Sequence, residues 1–214
     1  AILVKAAEEG RFETRSDVTR HRGDFRKIIE GVNATLDVVV DKVNWYQAII
    51  DAVPSPIHVI DKDMKWVFLN RAFETLMVKN NIIRSRHDAP GMPCSSARAN
   101  ICNTDNCGLV QLSKGVGETY FDWNGQKCKQ QSSRLTNVKG EHIGFVEVVQ
   151  DLTAIVEVKD YTNLEVVRVA SNLAQIAKGD LRVNLKLADA GAYAAEARAQ
   201  FARINDSLTI MVEA

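Results

Sequence analysis

Apolar residues between positions 25 and 50 fall at Phe25, Ile29, Val32, Leu36, Val39, Val43, Tyr46 and Ile50, in alternating steps of four and three. A 3.5-residue period lays them along one narrow seam of a long helix, and one helix cannot bury such a seam alone, so the pattern predicts a parallel coiled coil with a second copy of the chain. The period returns near the other end at Ala197, Phe201, Ile204, Leu208 and Met211. Moving the first seam along by 172 residues sets Ile29 on Phe201, Val32 on Ile204, Leu36 on Leu208 and Val39 on Met211, and it sets Asn33 on Asn205. Each heptad helix is preceded by an irregular polar stretch, and before that by a helix end closed by glycine, Gly10 or Gly179, with Phe12 or Leu181 two positions further on. The helix that closes at Gly179 is predicted over 161–178 and carries its own seam of Val166, Val169, Leu173 and Ile176.

The period changes in the middle of the chain. Ile57, Val59 and Ile60 lead into Asp61-Lys62-Asp63, and Trp66, Val67 and Phe68 follow, which predicts two short strands around a tight polar turn. Ala72, Phe73, Leu76 and Met77 then return to helical spacing. A polar loop over 85–93 and a cysteine-bearing loop lead to a short helix ending at Gly115. Three more strands are predicted over 118–123, 126–135 and 142–152. The first two are joined by Asn124-Gly125, whose residue types suit a two-residue turn with positive φ at both positions, and a turn at 137–140 precedes the last.

The central stretch resembles the opening of a PAS domain, in Pro54, Pro56, Asp61, Asp63, Trp66, Phe68, Asn70, Ala72 and Phe73, and Asp151-Leu152-Thr153 resembles the D-x-T at the end of one. Helix, Gly-led connector and second heptad helix resemble a HAMP domain, the dimeric parallel four-helix relay of receptors. The stretch Gly23 to Val40 is similar to HAMP segments of methyl-accepting chemotaxis receptors. The resemblance implies an α+β chain: a PAS domain, with a five-stranded antiparallel sheet and flanking helices, between HAMP-like parallel coiled-coil helices. The expected parts are 1–44, the C-terminal part of a HAMP-like domain and signalling helix; 45–156, the PAS sensor; and 157–214, a second HAMP-like domain. By the same resemblance the chain is a homodimeric, non-enzymatic sensory and relay module in the cytoplasmic portion of an inner-membrane chemoreceptor. It would pass its signal through Asp151 and Thr153 to a downstream domain of the same chain, and so to kinase and adaptor proteins. The alternatives are the sensory half of a histidine kinase or cyclase, and a PAS domain that serves only to hold a dimer together.

Composition narrows this further. Lys and Arg together number 27, as do Asp and Glu, so no net charge favours a nucleic-acid partner. No apolar run reaches the roughly 18 residues of a membrane span, and no signal peptide opens the chain. Its first residues, Ala1-Ile2-Leu3-Val4, and its last read as mid-helix, as expected of a piece of a longer protein. No Ser-His-Asp or paired-carboxylate constellation is present, and Lys114-Gly115-Val116-Gly117 fits neither phosphate-loop pattern.

The candidate chemistry lies in four cysteines, Cys94, Cys102, Cys107 and Cys128, spaced C-x7-C-x4-C-x20-C with no C-x-x-C pair. If the short helix and the strand after it run antiparallel, Cys128 returns toward Cys102 and Cys107. Thiols at a helix N-terminus are expected to be acidic. Four converging thiolates suit zinc or an iron–sulfur cluster, or equally two redox-switchable disulfides, and a purely structural role is the third reading. Asn70, Tyr120, Trp123 and Arg134 are candidates for a small-molecule pocket, though core or sheet-surface roles suit them too. His58, on the first strand, is a weak haem candidate, and His21, His87 and His142 lack ligand spacing.

Overall fold

Helix α1, Gly23–Asp51, grows from the first heptad pattern, and none of its residues is buried within the chain. The computed structural model describes Leu3, Lys5, Ala6 and residues 11–213. The predicted closure at Gly10 lies outside the described residues. The described chain divides into two units, 1–93 and 94–214.

In the first unit, Asn33 of α1 holds the segment before the helix: its Nδ2 donates to Ser16 O at 2.9 Å and its Oδ1 accepts from Ser16 N at 3.1 Å. Strands β1, Ile57–Ile60, and β2, Trp66–Leu69, pair antiparallel. The turn between them is built by Asp61 Oδ1, which accepts from the backbone N–H of Asp63 and of Lys65 at 2.9 Å each. Helix α2, Arg71–Lys79, buries Phe73 and Met77, which join Ile60, Trp66 and Leu69 in the core.

The end of α1 is tied into this unit twice. Asn70, fully buried, caps α2 through Phe73 N and also accepts from Ile57 N, both at 2.9 Å. Its Nδ2 faces the carbonyls of Ile50, Val53 and Ser55 at 3.0–3.3 Å. Asp51, the last residue of α1, receives two bonds from Arg86 Nη1 at 2.9 and 3.0 Å, and Arg86 Nε reaches Glu74 at 2.9 Å.

In the second unit, helix α3, Gly108–Ser113, precedes strands β3, Glu118–Trp123; β4, Gln126–Thr136; and β5, His142–Asp151. Asn124 and Gly125 take φ of 50° and 81°, as the tight turn requires. The five strands form one sheet in the order β2-β1-β5-β4-β3. With its flanking helices, this is the α+β class expected.

Helix α4, Thr153–Ile176, and helix α5, Ala195–Glu213, pack around Tyr161, Ala194 and Phe201. The connector between them is stitched down by polar side chains. Asn172 bonds Asn184 N and O at 2.9 and 2.8 Å, Glu165 Oε1 accepts from Ala188 N at 2.8 Å, and Asn205 Nδ2 donates to Leu185 O at 2.6 Å. The seam of α5 splits in two. Phe201 and Leu208 are buried within the chain, whereas Ile204 and Met211 are exposed.

Candidate sensory site

The cysteine loop over 94–107 is a run of turns, opened by a 3-10 turn at Cys94–Ala97 and with Arg98 and Asn103 in the left-handed region at φ 57° and 58°. Two anchors fix its first part to β3. Trp123 Nε1 donates to Ala97 O at 2.8 Å, and Asp122 N donates to Asn100 Oδ1 at 3.1 Å. The second part, with Cys102 and Cys107, is held by short-range bonds: Cys102 N to Ala99 O at 3.0 Å and Cys107 N to Thr104 O at 3.1 Å.

Beneath the loop, the inner sheet face is polar. Gln130, Ser132 and Glu147 are all buried; Ser132 Oγ donates to Glu147 Oε1 at 2.8 Å, and Gln130 Nε2 donates to the same oxygen. On the neighbouring strand Thr119 lies opposite Gln130, and its buried hydroxyl has no hydrogen-bond partner. Gly108 permits this arrangement. A Cβ there would collide with Gln130 Nε2 and would stand 2.7 Å from Ser132 Oγ and 3.0 Å from Glu147 Oε1. The carboxylate therefore rests against the residue that follows Cys107.

Glu147 escaped sequence reading because β5 alternates weakly, and an acidic residue on an exposed strand face looks the same in one dimension. The only available signal was its register with Ser132 across β4 and β5.

Two of the thiols, Cys94 and Cys102, respond to this carboxylate. Burial pushes the Cys94 thiol up to about 12, and the charges of Glu147, Cys107 and Cys102 push the same way. Cys102 is raised by burial, with Cys107 and Glu147 adding to it. At these two positions burial next to a carboxylate disfavours the thiolate; the acidity expected at the helix N-terminus concerns Cys107, the residue that opens α3. Cys128 is raised to about 11 by burial, and the charges that act on it are Asp151 and Asp122.

The membership of the cluster thus differs from the expected one. The residues of β4 that meet the start of α3 are Gln130 and Ser132, and Cys128 lies two and four positions back, about 7–13 Å along the strand. Among the described residues, no three His, Cys, Asp or Glu side chains stand together as a ready coordination group.

The other candidates do not gather into one pocket. Tyr120 and Trp123 belong to opposite faces of β3, one exposed and the other buried, and Arg134 is exposed. Asn70 spends its amide on backbone groups. His58 is buried with Nδ1 accepting from Trp66 Nε1 at 3.0 Å and its ring 4.4 Å from that of Phe73. Asp151 and Thr153 do meet. Thr153 N donates to Asp151 Oδ1 at 2.8 Å, Lys127 N donates to Thr153 Oγ1 at 3.0 Å, and Leu152 N donates to Lys127 O at 2.7 Å, so the start of α4 is stitched to β4 and β5.

Residues 20–55 match a HAMP domain. Comparison with curated proteins by sequence finds no match. Among solved structures, the PAS domain of a Colwellia psychrerythraea protein aligns at 16% identity and TM-score 0.39, over 52% of this chain and 97% of that one. The PAS domain of Bordetella pertussis BvgS aligns at 17% identity and TM-score 0.37, over 56% and 92%. An RNA-binding light-oxygen-voltage receptor aligns at 16% identity and TM-score 0.39, over 51% of this chain and only 33% of its own length. The stretch that matches a HAMP domain is thus followed in the chain by an α+β region with a five-stranded antiparallel sheet.

Proposed function

We propose that this chain is the sensory and relay segment of a dimeric transmembrane chemoreceptor, acting on its cytoplasmic side and without enzymatic activity of its own. The loop cysteines are its detection site. The observation that carries this reading is that β5 holds Glu147 in the thiol cluster and, four residues on, Asp151 in the joint to α4. A change of charge or position at Glu147 acts on a strand whose far end is hydrogen-bonded to the first residue of the output helix. The connector beyond α4 is held by a handful of polar contacts, so a small shift of α4 changes which of them survive. Packed helices of this kind switch between discrete arrangements, and a ligand biases them only through different affinity for each. Kinase and adaptor proteins downstream would read the result through a domain beyond α5. A kinase or cyclase output would use the same relay.

Hydrogen–deuterium exchange on the whole chain tests the relay. Oxidising the loop thiols with diamide is expected to change protection in the connector at 180–192 and in α5. The Asp151→Ala/Thr153→Ala pair should confine the change to the sheet. Unaltered exchange in α4 and α5 after full thiol oxidation would leave only a dimer-holding scaffold.

A further inference from the structure

Helix α1 holds to the rest of its unit by polar contacts at one end. None of its residues is buried within the chain, and its last turn is gripped by side chains. Asn70 Nδ2 faces Ile50 O at 3.3 Å; Asp51 Oδ1 accepts from Arg71 N at 2.8 Å and, together with Oδ2, from Arg86 Nη1 at 3.0 and 2.9 Å. We propose that Arg86 is an ionic clasp through which α1 acts on the sheet: it couples the end of this helix to the segment laid along edge strand β2, so that a change in α1 is felt at Trp66. This goes beyond the sensory reading of the cysteine loop and shares no residue with it.

The two carboxylates hold Arg86 unequally. Glu74, on α2, accepts from it twice, Oε1 from the backbone N at 2.8 Å and Oε2 from Nε at 2.9 Å, and so fixes the turn at 86–88 to the domain. Asp51 meets only the far end of the same guanidinium. When α1 shifts and Asp51 withdraws, Arg86 keeps both its place and a counter-charge. The clasp thus has two discrete arrangements, Arg86 shared by Asp51 and Glu74 or held by Glu74 alone, and the guanidinium is paired in each. The side chains of Asp51, Arg86 and Glu74 are 12, 19 and 22% exposed, so salt screens these pairs less than it would an open surface pair.

From Arg86 the chain goes on to close the sheet. Asp88 folds the turn back by accepting from Arg84 N and Ser85 N at 3.1 Å each, and Ala89 is buried. The chain then runs beside β2: Gly91 N donates to Trp66 O and Trp66 N to Met92 O, at 2.8 Å each, with a bridge between Lys65 and Pro93. β2 is the last strand on its side of the sheet, so this segment covers its free edge. Trp66 is itself buried, and its Nε1 reaches His58 on β1. Bonded groups therefore lead from Asp51 into the core, and the Asp51–Arg86 pair is the joint by which α1 enters that path.

The test is amide exchange read residue by residue by NMR on the full chain, with folding checked by circular dichroism. Val32→Asp disturbs α1 about 28 Å from Asp51, at the 1.5 Å rise of a helix. It is expected to change exchange at Gly91 and Trp66 about fivefold or more in the native background, and to leave both unchanged in Asp51→Asn or Arg86→Lys. Asn keeps an oxygen for Arg71 N, and Lys keeps the charge but loses the fork, so each removes the joint and little else. Asp51→Asn alone should speed exchange at Gly91 and Trp66 and leave Phe73, capped by Asn70, as it was. Should Val32→Asp fail to fold, Val39→Asp on the same exposed row replaces it. No change at Gly91 and Trp66 when α1 is disturbed, the same change with and without Asp51, or an equal rise at Phe73 overturns the clasp. The diamide experiment reads the connector and α5, so the relay and the clasp stand or fall separately.

Discussion

Asn33 and Asn205, equivalent positions in the two heptad helices, each turn a side-chain amide onto the backbone of the segment leading into its helix, Asn33 at Ser16 and Asn205 at Leu185. The repeat seen in the apolar pattern thus extends to a polar contact. Replacing Asn205 with Ala leaves the Leu185 carbonyl short of a donor and should cost about 1–2 kcal/mol in urea denaturation. Asn205→Asp keeps the shape but presents oxygen to oxygen, so it should cost more than the alanine variant. Equal or smaller loss in Asn205→Asp would show that the contact is not holding the connector.

The same logic applies to close packing at Gly108. An alanine methyl would meet Gln130, Ser132 and Glu147 together, and the three are tied to one another, so none can withdraw alone. Gly108→Ala should lower stability by about 1–3 kcal/mol. Gln130→Ala in the same chain should recover part of it by removing the nearest obstruction. An additive double variant, measured by denaturation, would rule out the clash.

Asn70 offers the largest single effect among the polar residues. Removing its side chain strips a partner from two backbone N–H groups and reduces the donors available to three carbonyls at the end of α1 and the start of β1. Asn70→Ala should destabilise the chain by about 3 kcal/mol or more, since buried backbone groups are left unpaired. Exchange protection should fall at Ile57 and Phe73 together. Loss at only one of them would mean that Asn70 is a helix cap and not a hub.

How much of this was legible beforehand depends on whether the information was local. Asn124-Gly125 marked its turn because positive φ is a property of those residues alone, and all five strands followed from short runs between such signals. The heptads marked the helices, but they did not mark which half of the seam the chain covers itself. That depends on a connector whose path is fixed by Glu165, Asn172 and Asn205, polar residues that carry no periodic signal. Cys128 was placed near the other thiols by lengths alone. Lengths give the direction of β4 but not its register against α3, which set Gln130 and Ser132 there instead. Asn70 was legible in its place in the motif but not in its role, because most of its partners are backbone atoms of the stretch 50–57, well before it in the chain.

The thiols make the stability of the chain sensitive to alkali. Folding raises Cys94 to about 12 and Cys128 to about 11, from an ordinary value near 9. Between pH 9 and these values the unfolded chain has lost protons that the folded chain still holds, so stability falls as pH rises; below pH 9 the contribution is fully present. Each thiol gives at most about 1.4 kcal/mol per pH unit, and less for half-buried Cys94, where solvent screens the effect. Urea midpoints at pH 8, 9.5 and 10.5 should decline, and Cys94→Ser with Cys128→Ala should flatten the decline. Thiolate absorbance that rises near pH 9 in the folded protein and is removed by Cys94→Ser with Cys128→Ala would contradict the burial argument.

The split seam of α5 separates folding from assembly. Leu208 and Phe201 lie in the chain's own interior, whereas Ile204 and Met211, one step away in the same heptads, are open to solvent. If the heptad pattern exists to join two chains, the exposed row is what a partner covers. Ile204→Asp should then shift sedimentation velocity from dimer toward monomer while leaving the circular dichroism spectrum in place, because a single carboxylate repels its counterpart in a parallel pair. Leu208→Ala should do the reverse, costing about 2–5 kcal/mol through the cavity it opens and affecting assembly only as the fold weakens. An Ile204→Asp protein that remains fully dimeric would place the interface elsewhere, on the exposed row of α1 that includes Phe25, Val32 and Val39. The same substitution at Val32, the position equivalent to Ile204, would then be the one that dissociates the pair.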